Sequence, residues 1–209
     1  MITEEPPGEA AAREPSRRLF FALWPDEAMR QAMEHATRVA ARATGGRPVA
    51  TANLHVTLAF LGAVPERRLP QLSEVARAAA FALPSADRPR SGLRAAGEVY
   101  DSAESPCELT FDQLEYWRAA RLLCALPSAP PESIVALARR LQERLIESGF
   151  TPDRKPFRPH VTLARNVVRP ALLQEMQPVV WHFAELALVE SRTLPAGPAY
   201  RVLQSFSTQ

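Results

Sequence analysis

Cysteine is scarce in this chain, lysine scarcer still, and no apolar run approaches the length of a membrane span. Cys107 and Cys124 are the 2 cysteines among 209 residues. They make neither a disulfide framework nor a cysteine-rich metal site, and a reducing cytoplasm is the simplest compartment for them. Without some 20 consecutive apolar residues, no spanning helix is expected. The opening MITEEPPGEAAAREPSRR carries acidic residues and prolines where a signal peptide needs basic and then apolar ones. The expectation is a cytoplasmic protein, a monomer, with a disordered tail over 1–16 and one domain over 17–209. A net charge of +2 is too mild to point to a polyanion partner and leaves room for a local basic site. Lys155 is the only lysine among 25 basic residues. Arginine grips phosphate bidentately where lysine acts as a point charge, although biased genomic base composition suffices to explain the preference.

Periodicity and turn residues set the coarse organisation. RLFFALW, Arg18 to Trp24, reads as a buried strand stopped by Pro25. Asp26 caps a helix through Ala43, with Met29, Met33, Ala36, Val39 and Ala40 on one face. Leu54 to Leu61 reads as a strand closed by Gly62, and Pro65-Glu66 opens a second helix to Leu83. Strands are expected at Leu93–Tyr100, Glu108–Phe111 and Arg121–Leu126. A helix follows from Glu132 to Gly149, its face made by Ile134, Leu137, Ala138, Leu141, Leu145 and Ile146. Another strand covers the segment after Arg158, then a short helical piece at Ala171–Met176, and closing strands at Val179–Glu190 and Ala199–Phe206.

Inside that frame the pentamer HVTLA occurs twice, at His55–Ala59 and His160–Ala164, 105 residues apart. Both copies follow a helix, which suggests two pseudo-symmetric lobes. Along a strand the side chains alternate, so His55 shares a face with Thr57, and His160 with Thr162. Val56, Leu58, Val161 and Leu163 then turn to the other face. Arg165 stands three residues after Thr162, on the wrong side of an ideal strand, and needs a bulge to join the histidines. Two imidazoles with hydroxyls suit phosphodiester chemistry. A neutral ring takes a proton from water, a charged ring gives one to the departing oxygen, and hydroxyls donate to the phosphate oxygens. A single His-x-Thr on a strand is most often a solvated polar pair; two matched copies put paired catalysis level with that reading. A shared metal site would need more convergent ligands. His35, within a helix, and His182, beside Trp181, are assigned no role, and both cysteines read as small packing residues.

With flanks RLFFALWP, NLHVTLAFLG, GFTPDRKPFRPHVTLAR and LVESRTLPAGPAYRVL, the two His-x-Thr-x motifs resemble the two-histidine (2H) phosphoesterase superfamily, and within it the RNA 2′,3′-cyclic phosphodiesterases once called 2′-5′ RNA ligases. The resemblance runs from about Arg18 to Phe206. It implies an α+β bilobed fold, antiparallel sheets around a central cleft with helices outside. It implies hydrolysis of a terminal 2′,3′-cyclic phosphate to a 2′-phosphomonoester, without metal or other cofactor, on RNA 3′ ends or cyclic nucleotides. By motif, His55 matches the proton donor and His160 the proton acceptor, while Thr57, Thr162 and Arg165 match phosphate-binding residues. Phe157 and Arg158 are candidate RNA contacts, with core packing an equal account of Phe157. Cys124 stands where the family pattern leads one to expect an aromatic, and Asn166 where a basic residue is common; both bear on RNA preference rather than chemistry. Reversible 2′-5′ linkage chemistry and hydrolysis of small cyclic nucleotides use the same two histidines, and a noncatalytic RNA-end-binding module is the competing class.

Overall fold

A computed structural model describes residues 14–80, 108–153, 155–169, 175–183, 185–195 and 197–207. Among the described residues, nine strands and three α-helices run in the order β1 (Ser16–Leu23), α1 (Glu27–Ala43), β2 (Arg47–Pro48), β3 (Val56–Pro65), α2 (Leu69–Ala80), β4 (Glu108–Trp117), β5 (Leu122–Leu126), α3 (Glu132–Glu147), β6 (Val161–Arg165), β7 (Glu175–His182), β8 (Glu185–Leu194) and β9 (Gly197–Ser207). The expected strand at Leu93–Tyr100 and residues 1–13 of the expected tail lie outside the described residues. Pro15 is already tied down, its carbonyl accepting the Glu66 N–H at 3.0 Å.

The α+β architecture is an antiparallel sheet in the order β7-β4-β5-β6-β3-β1-β8-β9, with β2 added beside β6. Its two halves meet at one Cα pair, Val56 with Val161. The halves are therefore interleaved in sequence. β1 joins β3 to the C-terminal β8, which carries β9, while β4 to β7 form the other half. Val179–Glu190 is accordingly not one closing strand. It breaks near Phe183, and β7 joins β4 at one edge while β8 joins β1 in the other half. Val179–Glu190 gives no clear break because alternation reports which face a residue takes, not which strand it joins. The helical piece expected to reach Met176 gives way to strand from Glu175; 170–174 lie outside the described residues.

Local chemistry accounts for the helices. Asp26 accepts the Met29 N–H at 2.8 Å and caps α1. Met29, Met33, Thr37 and Ala41 are buried at a spacing of four. Val39 points to solvent, 78% exposed, because the packed stripe is centred nearer Thr37, whose hydroxyl bonds the Met33 carbonyl at 2.7 Å. In α3 the buried residues are Ile134, Leu137, Ala138, Leu141 and Leu145, and Ile146 lies outside the stripe, 47% exposed. Helix α1 packs on β6 and β7, and α3 on β3 and α2. One sheet face is thus covered by a large apolar core that includes Val56, Leu58, Val161 and Leu163.

The opposite face carries a smaller cluster, Phe20, Ala22, Ala187 and Val189, flanked by Trp24, Phe60, Tyr200 and Val202. Three register shifts shape the histidine strands, two in β3 and one in β6; one of those in β3, from Phe21–Ala59 to Ala22–Thr57, leaves Leu58 extra. At the other in β3 the register passes from Leu19–Gly62 to Phe20–Phe60. Gly62 takes φ +71° there, so it marks a bulge and β3 continues to Pro65 instead of closing at the glycine. In β6 the pairs Cys124–Thr162 and Leu123–Ala164 leave Leu163 extra.

Candidate active site

The two histidine motifs are brought together at the seam of the sheet. With Val56 opposite Val161, antiparallel pairing carried one residue either way sets His55 across from Thr162 and Thr57 across from His160. All four belong to the face opposite the large core. The arrangement is an open sheet surface on which both imidazoles stand, each motif contributing a histidine and the threonine facing its counterpart.

Each ring is held by the same device. The Nδ1–H of His55 donates to the Asn53 carbonyl at 2.7 Å, and that of His160 to the Arg158 carbonyl at 2.8 Å. The carbonyl two residues earlier thus selects the tautomer and leaves Nε2 for chemistry. The Nε2 of His55 lies 3.1 Å from Thr57 Oγ1. When the ring is neutral the hydroxyl donates to it; when charged, Nε2–H donates to the hydroxyl.

The surroundings of the rings differ. His55 sits in an aromatic box, stacked on Trp24 at 5.5 Å, tilted over Phe20 at 5.0 Å and met edge-on by Tyr200 at 5.1 Å. Burial pushes its pKa from 6.5 down to about 4, against the Asn53 carbonyl and with help from the charges of Arg165 and His160. His160 packs on Trp117 at 4.4 Å. Its pKa is also lowered, first by burial and then by the Arg158 and Arg165 charges, while the Arg158 carbonyl raises it. Both rings are therefore neutral at pH 7 without a ligand, and an anion beside them would restore charge.

Arg165 acts electrostatically on both histidines. The extra residue at Leu163 is the bulge that its position three residues after Thr162 required. Phe157 and Arg158 part company, with Arg158 remaining beside the Trp117 ring that packs on His160. Phe157 packs against the large core, and the Arg158 guanidinium is engaged by Glu115, with Nη1 3.1 Å from Oε1, over the Trp117 ring. His35 is exposed, and His182 is an exposed ring 3.4 Å from Glu108. Among the described residues, no three His, Cys, Asp or Glu side chains gather as a metal ion would need.

Sequence reading missed the aromatic box, Trp117 and the position of Cys124. Cys124 pairs directly with Thr162 across β5 and β6, so a buried thiol lies beside the second motif on the same face of the sheet. Burial pushes it up to about 12, partly offset by a hydrogen bond with Thr162, and it stays protonated. One signal for the box was present: Phe20, Ala22 and Trp24 alternate with Leu19, Phe21 and Leu23, so RLFFALW is apolar on both faces. Tyr200 arrives from the far end of the chain and carries no local signal.

The profile of the 2′-5′ RNA ligase superfamily matches residues 24–194. The chain is 34% identical over 195 residues to the RNA 2′,3′-cyclic phosphodiesterase of Thermus thermophilus, covering 91% of this chain and 89% of that one. It is 30% identical over 150 residues to the protein of the same name from Escherichia coli, covering 72% of each. Among solved structures, E. coli LigT complexed with 3′-AMP is similar with a TM-score of 0.73 and 27% identity, over 93% of this chain and all of that one. TT0787 of T. thermophilus is similar with a TM-score of 0.70 and 28% identity, over 91% of this chain and 97% of that one.

Proposed function

The chain belongs to the 2′-5′ RNA ligase superfamily, and we propose that it is a metal-independent cyclic phosphodiesterase that opens a 2′,3′-cyclic phosphate at an RNA end to a 2′-phosphomonoester. The observation that carries the reading is the matched anchoring of His55 and His160, each with Nδ1 tied to a carbonyl two residues back and Nε2 left for proton transfer. In the reaction His160 takes a proton from water, which attacks phosphorus. The bond from phosphorus to the 3′ oxygen breaks, and His55 gives that oxygen its proton. Thr57 and Thr162 donate to the nonbridging oxygens, and Arg165 balances their charge. The aromatic box makes charged His55 a strong acid; the phosphate anion supplies the field that charges it.

A cytoplasmic, monomeric protein is part of the proposal. Cys124 is a buried free thiol, which suits a reducing compartment. No helix among the described residues is long and apolar enough to cross a membrane. The test is incubation of the protein in EDTA with a cyclic-ended oligonucleotide and with 2′,3′-cyclic AMP, with product analysis. A 2′-phosphomonoester formed by the wild type, and lost on the order of 10²–10⁴-fold in His55→Ala and His160→Ala, supports the reading. Hydrolysis that needs added metal, or that survives both substitutions, contradicts it.

A further inference from the structure

Beside the histidines, an open cavity of about 320 Å³ runs between the two halves of the sheet, at the lower end of the range for small-molecule pockets. Arg47, Asn53, Arg165, Asn166, Pro198 and Tyr200 are among its lining residues, and no carboxylate among the described residues lines it. Tyr200 is the edge-on neighbour of His55, so the cavity begins at the aromatic box and leads away from it. Asn53 braces it, donating from Nδ2 to the Pro198 carbonyl at 3.1 Å while its own carbonyl holds His55.

Arg47 and Arg165 face each other directly across the short β2–β6 pairing. Like charges directly opposite on neighbouring strands repel, and Arg47 has no ion-pair partner among the described residues. Its guanidinium lies against the start of β9, where a Cβ on Gly197 would fall 2.5 Å from Nη2. Gly197 stands at φ +118° and leaves the room that lets Arg47 reach across the cavity. The two arginines differ in one respect. Arg165 lowers the pKa of both imidazoles, and Arg47 is not among the groups that do so. Arg165 is the arginine assigned above to the reacting phosphate, and the Arg47 guanidinium is turned instead toward Gly197 at the start of β9.

We infer that Arg47 is a specificity-determining residue that holds a second phosphate, the one on the 5′ side of the terminal nucleotide, so that the site prefers cyclic-ended RNA chains to cyclic mononucleotides. The inference rests on the function proposed above. A cyclic phosphate terminates the 3′ end, so every other phosphate of the chain lies 5′ of it, and a 2′,3′-cyclic mononucleoside has none. The contact is a charge-assisted hydrogen bond between guanidinium and phosphate oxygens.

The test compares wild type, Arg47→Ala and Arg47→Lys on a cyclic-ended dinucleotide and a cyclic mononucleotide. Arg77→Ala, which removes a charge from α2, controls for net charge. The ratio of kcat/KM for dinucleotide over mononucleotide is expected to fall on the order of 3- to 30-fold in Arg47→Ala, through KM and not kcat, with part of the loss restored in Arg47→Lys. The salt slope of dinucleotide binding should fall by about 0.7, the share of one single-strand phosphate contact. A second arm measures binding of the products, a dinucleotide and a mononucleotide each ending in a 2′-phosphate, and needs no turnover. Equal losses for mono- and dinucleotide in both arms would place Arg47 on the reacting phosphate and overturn the inference. An unchanged ratio would overturn it too. Wild-type protein that binds the dinucleotide product through Arg47 but hydrolyses neither substrate would overturn only the proposed activity.

Discussion

Val56 and Val161 face each other at the seam of the sheet, both essentially without solvent exposure, and they are the residue pair through which β3 and β6 meet. Each sits next to a histidine in sequence and points away from it. The pair therefore sets the separation of the imidazoles from the core side. Val161→Ala should cost about 1–3 kcal/mol, the usual range for truncating a buried residue, and should lower kcat as well because the two rings lose their fixed spacing. Denaturant unfolding and steady-state kinetics on the same preparation check both. A variant as destabilised as expected with unchanged kcat would detach the seam from catalysis.

Stability should depend on pH through His55. Its folded pKa, about 4, lies below the ordinary 6.5, so between those values the unfolded chain binds the proton and the folded one does not. Stability then rises with pH across that window, is fully present above 6.5, and is lost as pH falls toward 4. The ceiling on this contribution is about 3 kcal/mol. His160, also lowered, adds in the same direction. Urea titrations from pH 4 to 7 should show this slope, and His55→Phe should flatten it. An unchanged slope in His55→Phe would mean that the ring is not desolvated in the box.

Activity should follow a bell in pH whose apparent pKa values belong to the coupled pair and not to either ring. Both free-enzyme values are depressed, so the kcat/KM optimum should fall below 6.5. Bound phosphate raises imidazole pKa values, so the kcat optimum should lie higher than that of kcat/KM. Coincident optima near neutrality would show that the substrate anion does not reach the rings.

Thr57→Val and Thr162→Val keep the strand shape and remove one donor each. A fall in kcat on the order of 10- to 1,000-fold is expected for each. Thr57→Val also removes the hydroxyl 3.1 Å from His55 Nε2, so it alone should shift the pH profile. Unchanged kinetics in both variants would place the hydroxyls outside the reaction.

Much of this arrangement is readable from local signals. Asp26 before an apolar stripe, the matched pentamers and their two-residue alternation point to α1, β3 and β6, and the three-residue step from Thr162 to Arg165 points to a bulge. What stays hidden is long-range. Nothing local in VVWHFAELALVE says that Trp181 pairs with β4 and Leu188 with β1. The box around His55 is assembled from β1, its end and β9, and Cys124 reaches Thr162 only through the β5–β6 register. Alternation assigns faces; partners come from chain topology.

Paired proton transfer is the central claim, and a substrate with sulfur in place of the 3′ oxygen tests it most directly. That sulfur departs as a thiolate and needs no proton, while water must still be activated. On the oxygen substrate His55→Ala and His160→Ala should each lose on the order of 10²–10⁴-fold. On the sulfur substrate His55→Ala should recover most of its loss and His160→Ala none. Recovery by His160→Ala alone would reverse the two roles, and recovery by neither would contradict acid–base catalysis by this pair.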